Sequence, residues 1–295
     1  EAGSIMGTIL EFVFWIIIIV LVFTLLTAVI FYFSNNYTRE TEQSVDTRRL
    51  DTRAVRAGYA MKEEKDLTIW LTYHDDAQIE QYDLKEDDTI RLFKGNNMEV
   101  EGEKINHLNK FYSEMTTMYW VWKNNIRSKH VGFCHYRRRF THLLEIEQGE
   151  CQVMEVINFP FTVFHHYKDA HNYNDFYDIV DILNEKYGEG NKYSEYMLNS
   201  KTFVPFCSFV MKYEDFESLC EFFFPILFEF DRRNNLNMDA ERYWAKAEKD
   251  FRYDDKNYQC RAVSFLAERL ISCYIVCNMN AVSVKSIDTR LGYYD

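Results

Sequence analysis

Apolar positions along this chain recur with two different periods. Leu67, Ile69, Leu71 and Tyr73 alternate with Thr68, Trp70 and Thr72, which is the pattern of a half-buried strand, and the polar run His74-Asp75-Asp76 ends it. Ile105, Leu108, Tyr112, Met115, Tyr119 and Trp122 recur every three or four residues and predict one helix. Short apolar runs at 131–134, 157–164 and 203–211 predict further strands. Helical spacing returns at 175–187, 213–230 and 261–277, with Pro225 expected to kink or break the second of these. Strands alternating with helices imply an α/β domain over 67–295 with a mainly parallel central sheet. Ligands bind such sheets beyond the carboxyl ends of the strands, where His74–Asp76 and His135–Arg139 are both expected.

One segment has neither period. Residues 12–38 carry no charge and are long enough to cross a bilayer, with Trp15 near one end and Tyr32 and Tyr37 near the other. They predict an N-terminal transmembrane anchor within residues 1–38. Arg39, Arg48, Arg49, Arg53 and Arg56 follow the run and no Lys or Arg precedes it, so the expected arrangement is single-pass with the C-terminal domain in the cytoplasm. Residues 39–66 hold seven basic and seven acidic side chains and read as a charged linker.

Charge narrows the ligand. The net charge of -12 over 295 residues argues against a nucleic-acid partner, so any anion site must be local. The seven cysteines include no CxxC and are expected to be buried free thiols in a reducing compartment; a disulfide or metal role for them is the alternative. The local cationic feature is Arg137-Arg138-Arg139 at the end of a short strand. Guanidiniums side by side suit a phosphate, which they bind through paired hydrogen bonds. The other reading pairs them with carboxylates such as Glu114 or Glu145.

The residues of this region carry a resemblance. Asn106, Asn109, Tyr112, Ser113, Glu114, Thr116, Tyr119, Trp120, Trp122, Lys123 and Asn124, followed by Gly132, His135, Tyr136, Arg137 and Arg138, resemble the central motif of the DUF4422 family, whose members are associated with exopolysaccharide and capsule synthesis and are expected to be glycosyltransferases. Phe265–Leu270 and the run at 206–212 are similar to later elements of that family, so the likeness covers roughly 67–280. A membrane segment is not a usual part of the family.

The resemblance implies a GT-A-like nucleotide-binding domain, a nucleotide-sugar donor and a glycan acceptor. With the anchor, it implies transfer to a lipid-linked or oligosaccharide acceptor at the membrane. Donor and diphosphate contacts are expected from Asn106, Asn109, Glu114, Lys123, Asn124, His135, Tyr136, Arg137 and Arg138. The Asn and Lys residues among them could equally cap a helix, and Tyr119, Trp120 and Trp122 could be core or stacking platform. His171 and Asp175, four apart, are the expected catalytic pair for taking the acceptor proton. His165, His166 and His171 could instead hold a metal. Glu268 and Arg269 are expected on the acceptor side or as an ion pair. No Asp-x-Asp stands at a strand end, so no cofactor is expected, and Mg or Mn remains open. The competing class is a non-catalytic membrane-tethered module that binds glycans or anions.

Overall fold

The computed structural model describes residues 65–249, 255–283 and 286–288. The apolar run at 12–38 and nearly all of the charged linker lie outside these residues. Among the described residues no helix is long and apolar enough to cross a membrane.

The strands are β1 (Leu67–Tyr73), β2 (Ile90–Lys94), β3 (His130–His135), β4 (Arg138–Phe140) and β5 (Glu150–Val153). They continue with β6 (Ile157–Asn158), β7 (Thr202–Phe203), β8 (Phe209–Lys212), β9 (Asn280–Ser283) and β10 (Ser286–Asp288). The main sheet runs β2-β1-β3-β8-β5-β9, and β4 and β10 extend it past the end of β3. Pairings β1–β2, β1–β3 and β5–β9 are parallel, whereas β8 is antiparallel to both β3 and β5. The α/β class holds, but the sheet is mixed rather than mainly parallel. The cause is local. The chain enters β8 from the edge where β3 ends, so β8 runs the other way.

Three apolar segments depart from their sequence expectation. The expected strand at 157–164 is two residues of β6, paired with β7, followed by helix Val163–Ala170 capped by the Thr162 side chain. The expected strand at 203–211 is cut into β7 and β8 by Phe206 and Cys207, whose φ values of 78° and 50° no strand tolerates. The expected helix through 105–122 is a 3₁₀ turn at Asn106–Leu108, a short helix at Asn109–Tyr112 and a longer one at Met115–Lys123. The break falls at Ser113, with φ 50° and ψ −130°. Helix Tyr213–Arg233, by contrast, runs unbroken for 21 residues through Pro225. Pro225 is exposed, so water can reach the carbonyl it frees, while Phe222, Phe223, Phe224, Ile226 and Leu227 are buried around it.

The alternation read in β1 sorts side chains to two faces. Ile69 and Leu71 join a small cluster with Cys134, Tyr136 and Val210, while Trp70 packs toward the large helical core. Thr72 and Thr117 hydroxyls meet at 2.7 Å in the buried seam and tie helix Met115–Lys123 to β1. Six cysteines are buried and Cys277 is half-buried, and all seven are free thiols.

The Ser113 break is fastened from the neighbouring strand end. Asn109 Nδ2 donates to the Ser113 carbonyl at 3.1 Å and to Thr116 Oγ1 at 3.0 Å, and a methyl group at Gly95 would overlap that amide. Gly95→Ala should therefore destabilise the protein by about 1–3 kcal/mol in urea unfolding. Combined with Asn109→Ala, its cost should fall below the sum of the two single changes, because both act on one contact.

Candidate functional site at the carboxyl edge of the sheet

Register brings the charged groups together. Thr72 of β1 is level with His135 of β3, and Tyr73 with Lys94 of β2, so three parallel strands end at one edge. The antiparallel β8 begins at that same edge, because its Phe209 pairs with Phe133. Polar chain after β1 and β3, and the turn before β8, therefore converge.

β3 turns back on itself here. His135 pairs with Arg138 across a two-residue turn formed by Tyr136 and Arg137. Strand period then separates the guanidiniums, since neighbouring residues of β4 face opposite ways. Arg138 lies over the Phe206 ring at 3.9 Å from its centroid. Arg139 leaves the edge and donates to the carbonyls of Tyr82 and Asp83 at 3.1 and 3.4 Å. Arg137 sits at the turn, 5.3 Å from the Tyr136 centroid. The expected trio is thus a pair, Arg137 and Arg138, with Arg139 given to structure.

His135 and Glu114 form the polar centre. The His135 side chain is 12% exposed and that of Glu114 15%, with Nε2 and Oε1 3.1 Å apart. The Arg137 N–H donates to His135 Nδ1 at 3.3 Å, which leaves the ring proton on Nε2, facing Glu114. Burial, with Arg137 and Arg138 beside it, holds the imidazole well below its ordinary pKa. The contact is therefore a hydrogen bond from a neutral ring to a carboxylate.

A third cation, which the sequence did not single out, arrives from another element. Arg261, just ahead of helix Ala262–Asn278, donates from Nη2 to Ser113 Oγ at 3.2 Å. His74, after β1, feels the same charges. Burial lowers its pKa, Asp75 and Glu114 oppose that, and Arg137 and Arg261 add to it. Gln78 fixes the His74 turn by accepting the N–H groups of His74 and Asp75 at 3.0 and 3.2 Å. Arg261 could not be found by spacing, because it lies 148 residues from Ser113.

The far wall is the left-handed turn at Phe206-Cys207. Glu268 Oε1 accepts the Phe206 N–H at 2.7 Å and Oε2 accepts Arg269 Nη1 at 2.7 Å. Arg269 is almost wholly buried, reaches His166 at 3.2 Å and lies against the Tyr167 and Phe203 rings. Burial, and then the charges of Glu268 and Glu114, push the Cys207 thiol well above its usual range.

Other expected site residues stand elsewhere. Asn106 is buried and donates to the Asn97 carbonyl at 2.8 Å. Asn109 holds the Ser113 break, as described. Lys123 covers the Trp122 ring at 4.3 Å. Asn124 ends that helix, bonded to the Trp120 carbonyl and to both backbone groups of Glu103. Nine helical residues separate this end from Glu114, which is about 13 Å along the axis. Trp122 stacks on Phe224 at 5.4 Å between centroids, and Tyr119 and Trp120 also meet core rings.

His171 and Asp175 each meet partners on other elements. His171 closes helix Val163–Ala170, is 3% exposed and stacks on Phe265 at 3.9 Å between centroids. Burial, reinforced by Arg269, pushes its pKa down to about 3. Asp175, in the first turn of helix Tyr173–Tyr187, receives Lys246 Nζ on both oxygens at 2.6 Å. It lines a small cavity between helices with Tyr243, Lys246 and Gln259. Among the described residues no three His, Cys, Asp or Glu side chains are grouped to hold a metal ion.

The His171 environment has a pH consequence. Its folded pKa of about 3 lies below the unfolded value of roughly 6.5. Between those values the unfolded chain binds the extra proton. Stability is then intact above about pH 6.5 and falls, by up to about 1.4 kcal/mol per pH unit from this residue, as the solution is acidified toward 3. His171→Phe keeps a ring in the stack. Its urea midpoint should drop less than that of the parent between pH 7 and pH 5.

No curated protein matches the chain. The apo structure of the bifunctional glycosyltransferase WbbM superposes with a TM-score of 0.59 at 16% sequence identity, over 76% of this chain and 45% of that one. This chain thus spans less than half the length of that protein, and the likeness is one of fold. The domain of unknown function DUF4422 matches residues 77–159 and 152–279. That is more than half of the sequence, and the chain belongs to the DUF4422 family.

Proposed function

We propose that the protein is a glycosyltransferase that takes a sugar from a nucleotide-sugar donor and places it on a glycan acceptor. The observation that carries this reading is the convergence of Arg137, Arg138 and Arg261 with Glu114 and His135 at one sheet edge. Cations fixed at the end of a sheet suit the diphosphate leaving group. They are placed before reaction and need no reorganisation as charge develops. Arg cannot lose its proton at working pH and can grip two phosphate oxygens at once. The likeness in fold to WbbM, a bifunctional glycosyltransferase, supports the same reading. The finer assignment extends the sequence expectations: a lipid-linked acceptor in exopolysaccharide or capsule synthesis, with the apolar run at 12–38 as anchor. An anchor would raise the effective concentration of enzyme at such an acceptor.

In this mechanism Arg137 and Arg138 hold the diphosphate and the aromatic wall at Phe206 keeps Arg138 in place. Thermal unfolding with UDP, GDP or TDP, and diphosphate release from a panel of their sugars, test the reading. One nucleotide should raise the melting temperature, and its sugar should turn over. Arg137→Ala and Arg138→Ala should each lower turnover at least 100-fold while leaving the apo melting temperature within a few degrees. A chelator should leave turnover within twofold if guanidiniums take the place of a metal. Indifference to every nucleotide would favour a binding module.

A further inference from the structure

We infer that Glu114 is the base that takes the proton from the acceptor hydroxyl. This rests on the glycosyltransferase reading and assigns it a residue that His171 and Asp175 do not supply.

Geometry separates Glu114 from the other carboxylates near the strand ends. Both Glu268 oxygens are committed, one to the Phe206 N–H and one to Arg269. Both Asp175 oxygens receive Lys246. Asp75 and Asp76 lie exposed on the loop after β1, with Asp76 paired to Lys94 at 2.6 Å and Asp75 Oδ1 accepting the Ala77 N–H at 3.0 Å. Glu114 is held by Oε1 alone among the described residues, through His135 Nε2 at 3.1 Å. That bond orients the carboxylate and leaves Oε2 to meet a hydroxyl. A general base needs this combination of fixed orientation and an open lone pair.

The backbone is arranged for the same end. Glu114 directly follows the Ser113 break, which three residues maintain: Asn109, Gly95, whose bare backbone admits the Asn109 amide, and Arg261. A continuous helix through 105–122 would carry residue 114 around the helix with its neighbours. A non-glycine residue at φ 50° costs energy that the surroundings must overcome. The imidazole chain adds a further control. Arg137 N–H on Nδ1 sets the tautomer, so His135 can only donate to Glu114.

The step balances as a displacement. The acceptor O–H bond breaks and its proton moves to Glu114 Oε2. The freed oxygen pair forms the new bond to the anomeric carbon. The bond from that carbon to the diphosphate oxygen breaks, and its electron pair leaves with the diphosphate, facing Arg137 and Arg138. With water as acceptor the same step hydrolyses the donor.

The test uses the full chain and whichever of UDP-glucose, UDP-galactose, GDP-mannose or TDP-rhamnose turns over. Glu114→Gln should lower kcat for diphosphate release at least 100-fold and keep the thermal shift given by the free nucleoside diphosphate. Azide, which needs no deprotonation, should restore part of the turnover in Glu114→Ala. A kcat for Glu114→Gln within threefold of the parent overturns the assignment. So does loss of the nucleotide thermal shift at an unchanged apo melting temperature, which would make Glu114 a donor contact. Should Glu114→Gln fail to fold, Glu114→Asp decides: kcat at least tenfold lower at unchanged donor KM supports the assignment, and unchanged kcat overturns it. If the parent protein releases nothing from any donor, the glycosyltransferase reading fails first and the base falls with it.

Discussion

Strand β3 is the constraint on which the edge depends. Its residues bond to β1 on one side and to β8 on the other, so its height in the sheet is fixed from both. Gly132 sits where those neighbours press closest, with Ile69 and Val210 side chains 3.0 Å from any Cβ placed there. Register in such a strand cannot slip without turning every side chain to the wrong face. The two-residue turn that follows inherits this precision. The backbone of His135, Arg137 and Arg138 is therefore located by strand pairing.

Charge at this edge comes from several elements of the fold. Three guanidiniums, Arg137, Arg138 and Arg261, and two carboxylates, Glu114 and Glu268, gather at this edge. Arg138 rests on a ring, Arg261 on a hydroxyl, and Glu114 on a neutral imidazole. Elsewhere carboxylates and cations meet directly. Asp175 with Lys246, and Glu229 with Arg232 and Arg233, are closed pairs.

Much of this was legible in the sequence, and the failures share a cause. The β1 alternation, the β3 run and the clustering of His135, Tyr136, Arg137 and Arg138 all follow from local pattern. Periodicity, however, reports burial and not continuity. Apolar spacing passes unbroken through Ser113 because both short helices face the same core, and it passes through Phe206-Cys207 because that turn is itself half-buried. Pro225 misleads in the other direction, since packing on one face outweighs a single lost bond on the exposed one. His171 and Asp175 looked like partners because four residues make one helical turn, but a helix end falls between them. Arg261 carried no local signal; only the folded chain brings it to Ser113.

The distribution of thiols has a practical side. Burial pushes Cys134 up to about 12, and Cys151, Cys207 and Cys220 higher than the ordinary thiol. Cys277 alone is half-buried, and its hydrogen bond with Cys273 draws its thiol below the usual value. Alkylating reagents attack the thiolate, so a fluorophore or spin label offered to the folded domain has one favoured attachment point. It lies at the end of helix Ala262–Asn278, on the helix that carries Glu268, and nature has left a reporter there without any engineering.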